Sequence, residues 1–152
     1  MTNKFILFFL IFLFWNFPYN SNSEEFKLKS NLINIENNGD LVTASGEVEI
    51  TTDKDLIINS DKSILEKSKS FLKASGNVEI FDKINDIEMY ANQVEYNKNK
   101  EIIFIPGNSK TIFSKNYILE TANLYYDRNN MIIYSNEKSI VFDNSNNKIK
   151  FE

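Results

Sequence analysis

The stretch LKASGNVEI, residues 72–80, decides how this chain is read, because VTASGEVEI at 42–50 nearly repeats it. Both alternate apolar and polar residues around a central glycine. Glycine has no side chain to pack and weakens an ordinary strand, so a repeated flaw points to a backbone requirement. Aligned on that glycine, IFIPGNSKTI (103–112) is a third copy, and MIIYSNEKSIVF (131–142) is a weaker fourth with Asn136 in the glycine's place. The centres Gly46, Gly76, Gly107 and Asn136 step by 30, 31 and 29 residues. Asparagine is among the non-glycine residues that best tolerate positive φ, so the replacement preserves the requirement.

Each unit has a second half. DLIINSDKSIL (55–65), DIEMYANQVEY (86–96) and NYILETANLYY (116–126) precede their glycine strands, and a degenerate EFKLKSNLINI (25–35) precedes the first. Polar turns lie between the halves: ENNGD, EKSKS, NKNKE and DRNN. Strand, turn, strand, turn at this spacing predicts regular antiparallel β-structure. One segment taken alone fits a helix equally well. SDKSILEKSKSFLKAS (60–75) spaces Ile64, Leu65, Phe71 and Leu72 helically behind a capping Ser60 or Asp61. Its repeat mate ANQVEYNKNKEIIFIPG (91–107) alternates at Val94 and Tyr96 and turns at 97–100, so 66–69 is read as the same turn.

Alternation assigns faces. Val42, Ala44, Gly46, Val48 and Ile50 share one side, as do Leu72, Ala74, Gly76, Val78 and Ile80. Thr43, Ser45, Glu47, Glu49, Lys73, Ser75, Asn77 and Glu79 share the other, giving one dry face and one wet face. In the companions Ile87, Met89 and Ala91, and likewise Tyr117, Leu119 and Thr121, take the inward places. A bulge or kink at Gly46, Gly76, Gly107 and Asn136 lets stacked strands bend around a narrow interior.

The first residues have a different character. Lys4 is followed by an unbroken apolar run over 5–15, then a polar stretch ending Ser21-Asn22-Ser23. That layout predicts a secretory signal peptide over 1–23, with the β-domain occupying 24–152. The apolar run is shorter than the roughly 20 residues a spanning helix needs. An uncleaved anchor is the rival reading, with Phe17 and Tyr19 extending the run. Without Lys4 the 17 basic residues become 16 against 21 acidic ones, a net of −5. An acidic balance with no basic block argues against nucleic acid. The chain has no cysteine and no histidine, which removes disulfides, thiol chemistry and the commonest general base and metal ligand. No cofactor or metal is expected.

The phrase carried by Ala91-Asn92 and Tyr96, by ASGNVEI (74–80) and by ASGEVEI (44–50), set behind a signal peptide, resembles the OstA-like family. That family includes the periplasmic lipopolysaccharide-transport protein LptA and the N-terminal domain of the outer-membrane translocon LptD. The resemblance spans 25–142 and departs from the pattern at Pro106, before Gly107, and at Asn136. Pro106 lacks a ladder donor, which favours an edge or bulge there. The resemblance implies an all-β, V-shaped antiparallel jellyroll with an apolar slot between facing sheets. It further implies a periplasmic protein that passes lipopolysaccharide toward the outer membrane without chemistry on the lipid. Its implied partners are lipopolysaccharide, LptC and the LptD N-terminal domain. If the N-terminal segment stays attached, an anchored LptC-like role is implied instead.

On that reading the inward side chains Val42, Ala44, Val48, Ile50, Leu72, Ala74, Val78, Ile80, Ile87, Met89 and Leu119 contact acyl chains. Burying a chain of about 12 carbons gains on the order of 10 kcal/mol gross, at about 0.8 kcal/mol per CH₂. The same residues equally suit a closed sandwich core.

Other classes fit less well. Glu47 with Glu49, and Glu79 with Asp82, are the carboxylates an enzyme would need, but they are read as solvated and paired acid/base work needs one in a shielded site. A glycoside hydrolase on a parallel β-helix would repeat at shorter intervals. Lys67, Lys69, Lys98 and Lys100 fall on turn tips, where lysine keeps edges soluble. A structural or adhesive surface domain is the third class, distinguished by its lack of copurifying lipid. Finally, NKIKFE (147–152) begins another strand with Ile149 and Phe151 on one side, while FKLKSNLINI opens the stack uncovered. Two open edges predict head-to-tail self-association by strand addition.

Overall fold

The computed structural model describes residues 26–145 and 147–151; the predicted signal peptide lies outside them. Three glycine phrases become twelve-residue strands: β3 (Leu41–Thr52), β5 (Phe71–Asp82) and β7 (Ile102–Phe113). Their companions are the eleven-residue strands β4 (Leu56–Glu66), β6 (Ile87–Asn97) and β8 (Tyr117–Asp127). The opening companion splits into β1 (Phe26–Lys29) and β2 (Leu32–Glu36), and the fourth phrase splits into β9 (Ile132–Tyr134) and β10 (Ser139–Phe142). A final strand, β11 (Lys148–Phe151), follows. All pair antiparallel in one 11-stranded sheet ordered β1-β3-β4-β5-β6-β7-β8-β10-β11, with β2 beside β3 and β9 beside β8. The sheet does not close on itself.

The helical alternative for 60–75 is excluded. That segment is β4 and β5 joined by a 3₁₀ turn at Lys67–Lys69. Its apolar residues serve two leaves of a folded sheet rather than one helical face.

The fold across the sheet comes from aligned bulges. Register shifts between Ser45 and Val48, between Ser75 and Val78, and between Ile105 and Asn108. In each, two residues of a glycine strand oppose one of the companion, which bends and coils the strand. Gly46 (φ +77) and Gly76 (φ +78) adopt the left-handed region, and so do their successors Glu47 and Asn77. The residues facing the bulges are Asp61, Asn92 and Asn123. Asn77 donates to Asp61 at 3.0 Å, and the Gly107 amide donates to the Asn123 side chain at 3.0 Å. Asn31 takes the same place in the first unit, its amide donating to the Gly46 carbonyl at 2.9 Å.

Asn136 behaves differently from its expected role. It does not take positive φ. The last strand instead leaves the ladder over 135–138, tied back by Ser135 donating to the Ala122 carbonyl and Ser139 to the Thr121 hydroxyl. Side-chain hydrogen bonds make this bend where the other units use a glycine.

The crease divides the sheet into two leaves. Leaf one holds β2, residues 41–45, 62–66, 71–75, 93–97, 102–105 and 124–127, and β9. Leaf two holds β1, residues 48–52, 56–60, 78–82, 87–91, 108–113 and 117–122, and then β10 and β11. Their inner faces meet in a single apolar core. The companions switch phase at the crease: Leu56 and Ile58 face inward before Asp61, and Ser63 and Leu65 after it. Likewise Ile87 and Met89 give way to Val94 and Tyr96.

Candidate functional site

The candidate site is the space between the leaves. Val42, Ala44, Val48, Ile50, Leu72, Ala74, Val78, Ile80, Ile87 and Met89 all face it and are buried, while Leu119 is half-buried against the core. Sequence reading missed further inward residues, Leu56, Ile58, Leu65, Val94, Tyr96, Ile103, Ile105, Leu124 and Tyr126. The phase switch at Asp61, Asn92 and Asn123 hid several of them. A signal was present, since those acidic and amide residues recur at the repeat's own interval opposite each glycine. The interior is not wholly dry: Ser60, Ser63, Ser109, Thr111 and Thr121 are buried too, and the hydroxyls of Ser63 and Thr111 find no partner among the described residues.

The leaves are offset, which opens the two ends. Phe26, at the edge of leaf two, packs edge-on against Tyr96 inside leaf one, with centroids 6.2 Å apart. At the start of the stack β2 overhangs. Ile33 and Ile35 pair with the inward Ala44 and Val42, yet are 42% and 62% exposed. At the far end β10 and β11 overhang. Val141 lies between Leu119 and Ile149, and Phe151 is opposite Ser139, so these share the inner face. Ile149 and Phe151 are 57% and 53% exposed. Phe113 and Tyr117 stack at 5.5 Å beside this mouth. Tyr117 has the inward phase expected of it but is 42% exposed.

Opposite the crease, the free ends of the leaves meet as two lips, and here the sequence reading of the charges is corrected. Asp82 does not sit on the wet face. It is in phase with Val78 and Ile80, is 2% exposed, and accepts hydrogen bonds from Arg128 Nε at 2.8 Å, Tyr126 at 2.9 Å and Asn85 at 2.9 Å. Arg128 also bonds Glu101, whose carboxylate takes the Tyr96 hydroxyl proton donor at 2.8 Å and Lys54 Nζ at 3.0 Å. Lys98 is no solvated tip either; its ammonium is largely buried against Asp53 at 3.0 Å. Burial alone would push the Asp82 carboxyl up, but Arg128, Asn85 and Tyr126 outweigh it and hold it below the usual carboxylate range. Burial, then the neighbouring carboxylates, raise Tyr96 and Tyr126 and keep both phenols protonated donors. Burial opposes the Arg128 charge, yet Asp82 more than restores it. Every carboxylate named here is tied to a cation.

Glu47, Glu49 and Glu79 carry outward side chains, and Glu49 pairs with Lys29 at 2.7 Å. Two wider concavities lie on the outer face. One of about 390 Å³ is bounded by Leu32, Lys62, Ile64 and Lys73, and one of about 710 Å³ by Tyr90, Lys110, Glu120 and Lys138. Both are lined mainly by outward side chains. Among the described residues no helix is long and apolar enough to cross a membrane.

Comparison with known proteins finds a matching family model and similar solved structures. Residues 24–151 match the family model described as OstA-like protein. The fold is similar to the crystal structure of LptH from Pseudomonas aeruginosa, described as the LptA-homologous periplasmic component of a conserved lipopolysaccharide transport device. The TM-score is 0.66 at 10% identity, over 84% of this chain and 94% of that one. No curated protein matches by sequence.

Proposed function

We propose, for a chain that belongs to the OstA-like protein family, that it carries lipopolysaccharide across the periplasm toward the outer membrane, exported there by its signal peptide. The acyl chains lie between the leaves and the sugars remain outside. The observation that carries this reading is the run of one apolar inner face past the core at both open ends, through Ile33 and Ile35 at one and Val141, Ile149 and Phe151 at the other. A closed sandwich gains nothing by exposing such a surface, whereas a conduit needs it. No catalytic role is assigned.

The test is a photo-crosslinking residue placed in turn at Val78 and Glu79 in cells. Position 78 faces the interior and 79 faces water, so 78 should label lipopolysaccharide and 79 should not. Equal labelling at both rejects the assigned slot.

The open edges extend the proposal to partners. β1 and β2 at one end and β9 and β11 at the other present unpaired backbone groups, which invite strand addition. Another copy, LptC or the LptD N-terminal domain would then continue both leaves and their inner face. Neighbouring residues of an antiparallel strand aim their N–H groups at opposite edges. Prolines at Ile149 and at Lys150 therefore remove an inward donor in one case and an outward donor in the other. At least one should weaken self-association in sedimentation across a concentration series. Unchanged assembly in both variants counts against edge pairing.

A further inference from the structure

Crease and lips close the interior by different means. Along the crease every long strand runs covalently from one leaf to the other. Along the lips no strand of the described residues crosses, and side-chain contacts join the leaves. Three ion pairs span this line: Lys98 to Asp53 at 3.0 Å, Lys54 to Glu101 at 3.0 Å, and Arg128 to Asp82 at 2.8 Å. In each pair one partner lies in a leaf-one turn or strand end and the other in leaf two. Arg128 also donates to the Lys54 carbonyl at 3.0 Å, and Asn85 to the Tyr126 hydroxyl at 2.9 Å, again from leaf to leaf.

Three cations against three carboxylates make a neutral strip, so it is not built to capture an anion. Buried ion pairs add little net stability over apolar packing of the same volume. Their location is therefore informative: they fasten the one side where parting the leaves breaks no strand ladder. Directly beneath, Ile80, Met89, Tyr96 and Tyr126 are at most 1% exposed, so the closed lips seal this part of the interior from water. Two of the three pairs reach water. Lys54 and Asp53 are about half exposed, and a cavity of about 290 Å³ opens over Lys54, Glu101 and Arg128.

We propose that these cross-lip ion pairs form a clasp that holds the leaves together, and that its parting, with the crease as hinge, is the step that admits acyl chains. This rests on the transport reading above and adds the movement it requires: the lips part before acyl chains pass between the leaves. The sugars then remain in water along the parted lips.

The chain has no cysteine, so a defined tether is simple to install. Asp53→Cys with Lys98→Cys, bridged by a short bismaleimide, ties the lips together. The same variant capped at both cysteines with a monofunctional maleimide leaves them free, and the Arg128 network stays intact in both. A second bridged pair, Ser68→Cys with Asn99→Cys, joins adjacent turns of leaf one only and controls for the chemistry. Uptake of fluorescent lipopolysaccharide by the full mature chain should be at least tenfold slower in the bridged 53–98 form than in the capped form, and unaffected by the 68–99 bridge. Bridged and capped 53–98 forms agreeing within twofold overturn the clasp and leave the transport reading standing. Absence of uptake by the unmodified chain overturns the transport reading and the clasp with it.

Discussion

Arg128→Met should destabilise the protein by about 3–5 kcal/mol, a fall of about 10–20 °C in Tm for a domain of this size. The loss arises less from the missing attraction than from what it leaves behind. Asp82 and Glu101 are both buried and share this one guanidinium. Without it, Asp82 stays buried where hydrogen bonds from Tyr126 and Asn85 cannot neutralise it, and Glu101 keeps only the half-exposed Lys54 as a cation beside its bond from Tyr96. Adding Asp82→Asn and Glu101→Gln to Arg128→Met should therefore recover much of the loss in urea denaturation. A triple variant no more stable than the single one would contradict this account.

The pH dependence has a definite sign. Asp82 has a depressed folded value, so its stabilising contribution is complete above the unfolded carboxyl value of about 4. It is lost as pH falls through the lower folded value. In Arg128→Met the uncompensated carboxyl is pushed up instead, and protonation removes its penalty. The gap between wild type and variant should narrow as pH falls from 7 to below 4.

Gly76→Ala is the second large effect expected, at about 2–5 kcal/mol. A left-handed backbone angle at a residue with a side chain costs about 1–2 kcal/mol, and Gly76 sits at φ +78. A Cβ there would also lie 2.3 Å from Asp61 Oδ2 and 2.9 Å from Asp61 Cβ. Relieving that overlap adds about 1–3 kcal/mol and pulls Asp61 away from Asn77. Gly107→Ala is the internal reference: φ is +75, but nothing stands within 4 Å of the new atom. It should show the backbone cost alone. Gly46→Ala should fall between them, since its neighbour Asn31 approaches to 3.1 Å through a flexible amide. Equal losses at positions 76 and 107 would show that the contact with Asp61 is irrelevant.

The repeat made the sheet legible in the sequence because each strand pairs mainly with its neighbour in the chain, so pattern and pairing share one interval. Inward positions of the glycine strands followed from simple alternation. The companions resisted that rule, because a chain crossing opposite a bulge changes phase, and nothing in a two-residue period announces the change. The lips were least accessible. Alternation itself places Asp82 inside with Val78 and Ile80, yet beside Glu79 it reads as one more outward acidic side chain of the repeat. Its partner Arg128 is 46 residues away, within a polar turn that looks like any exposed tip. A local reading finds charges; it does not find which two will share a space.

The order of strands also bears on how fast the structure forms. Pairing each strand with its successor through short turns keeps contacting residues close in sequence. Low contact order of this kind is associated with rapid folding for an all-β chain. Growth can proceed as a zipper, each new hairpin adding to an existing edge. The Asp82–Arg128 contact has to wait until the two edges of that ribbon have curled together. Loss of Arg128 should then leave the folding limb of a chevron nearly unchanged and accelerate unfolding, making the lips a determinant of lifetime rather than of the pathway.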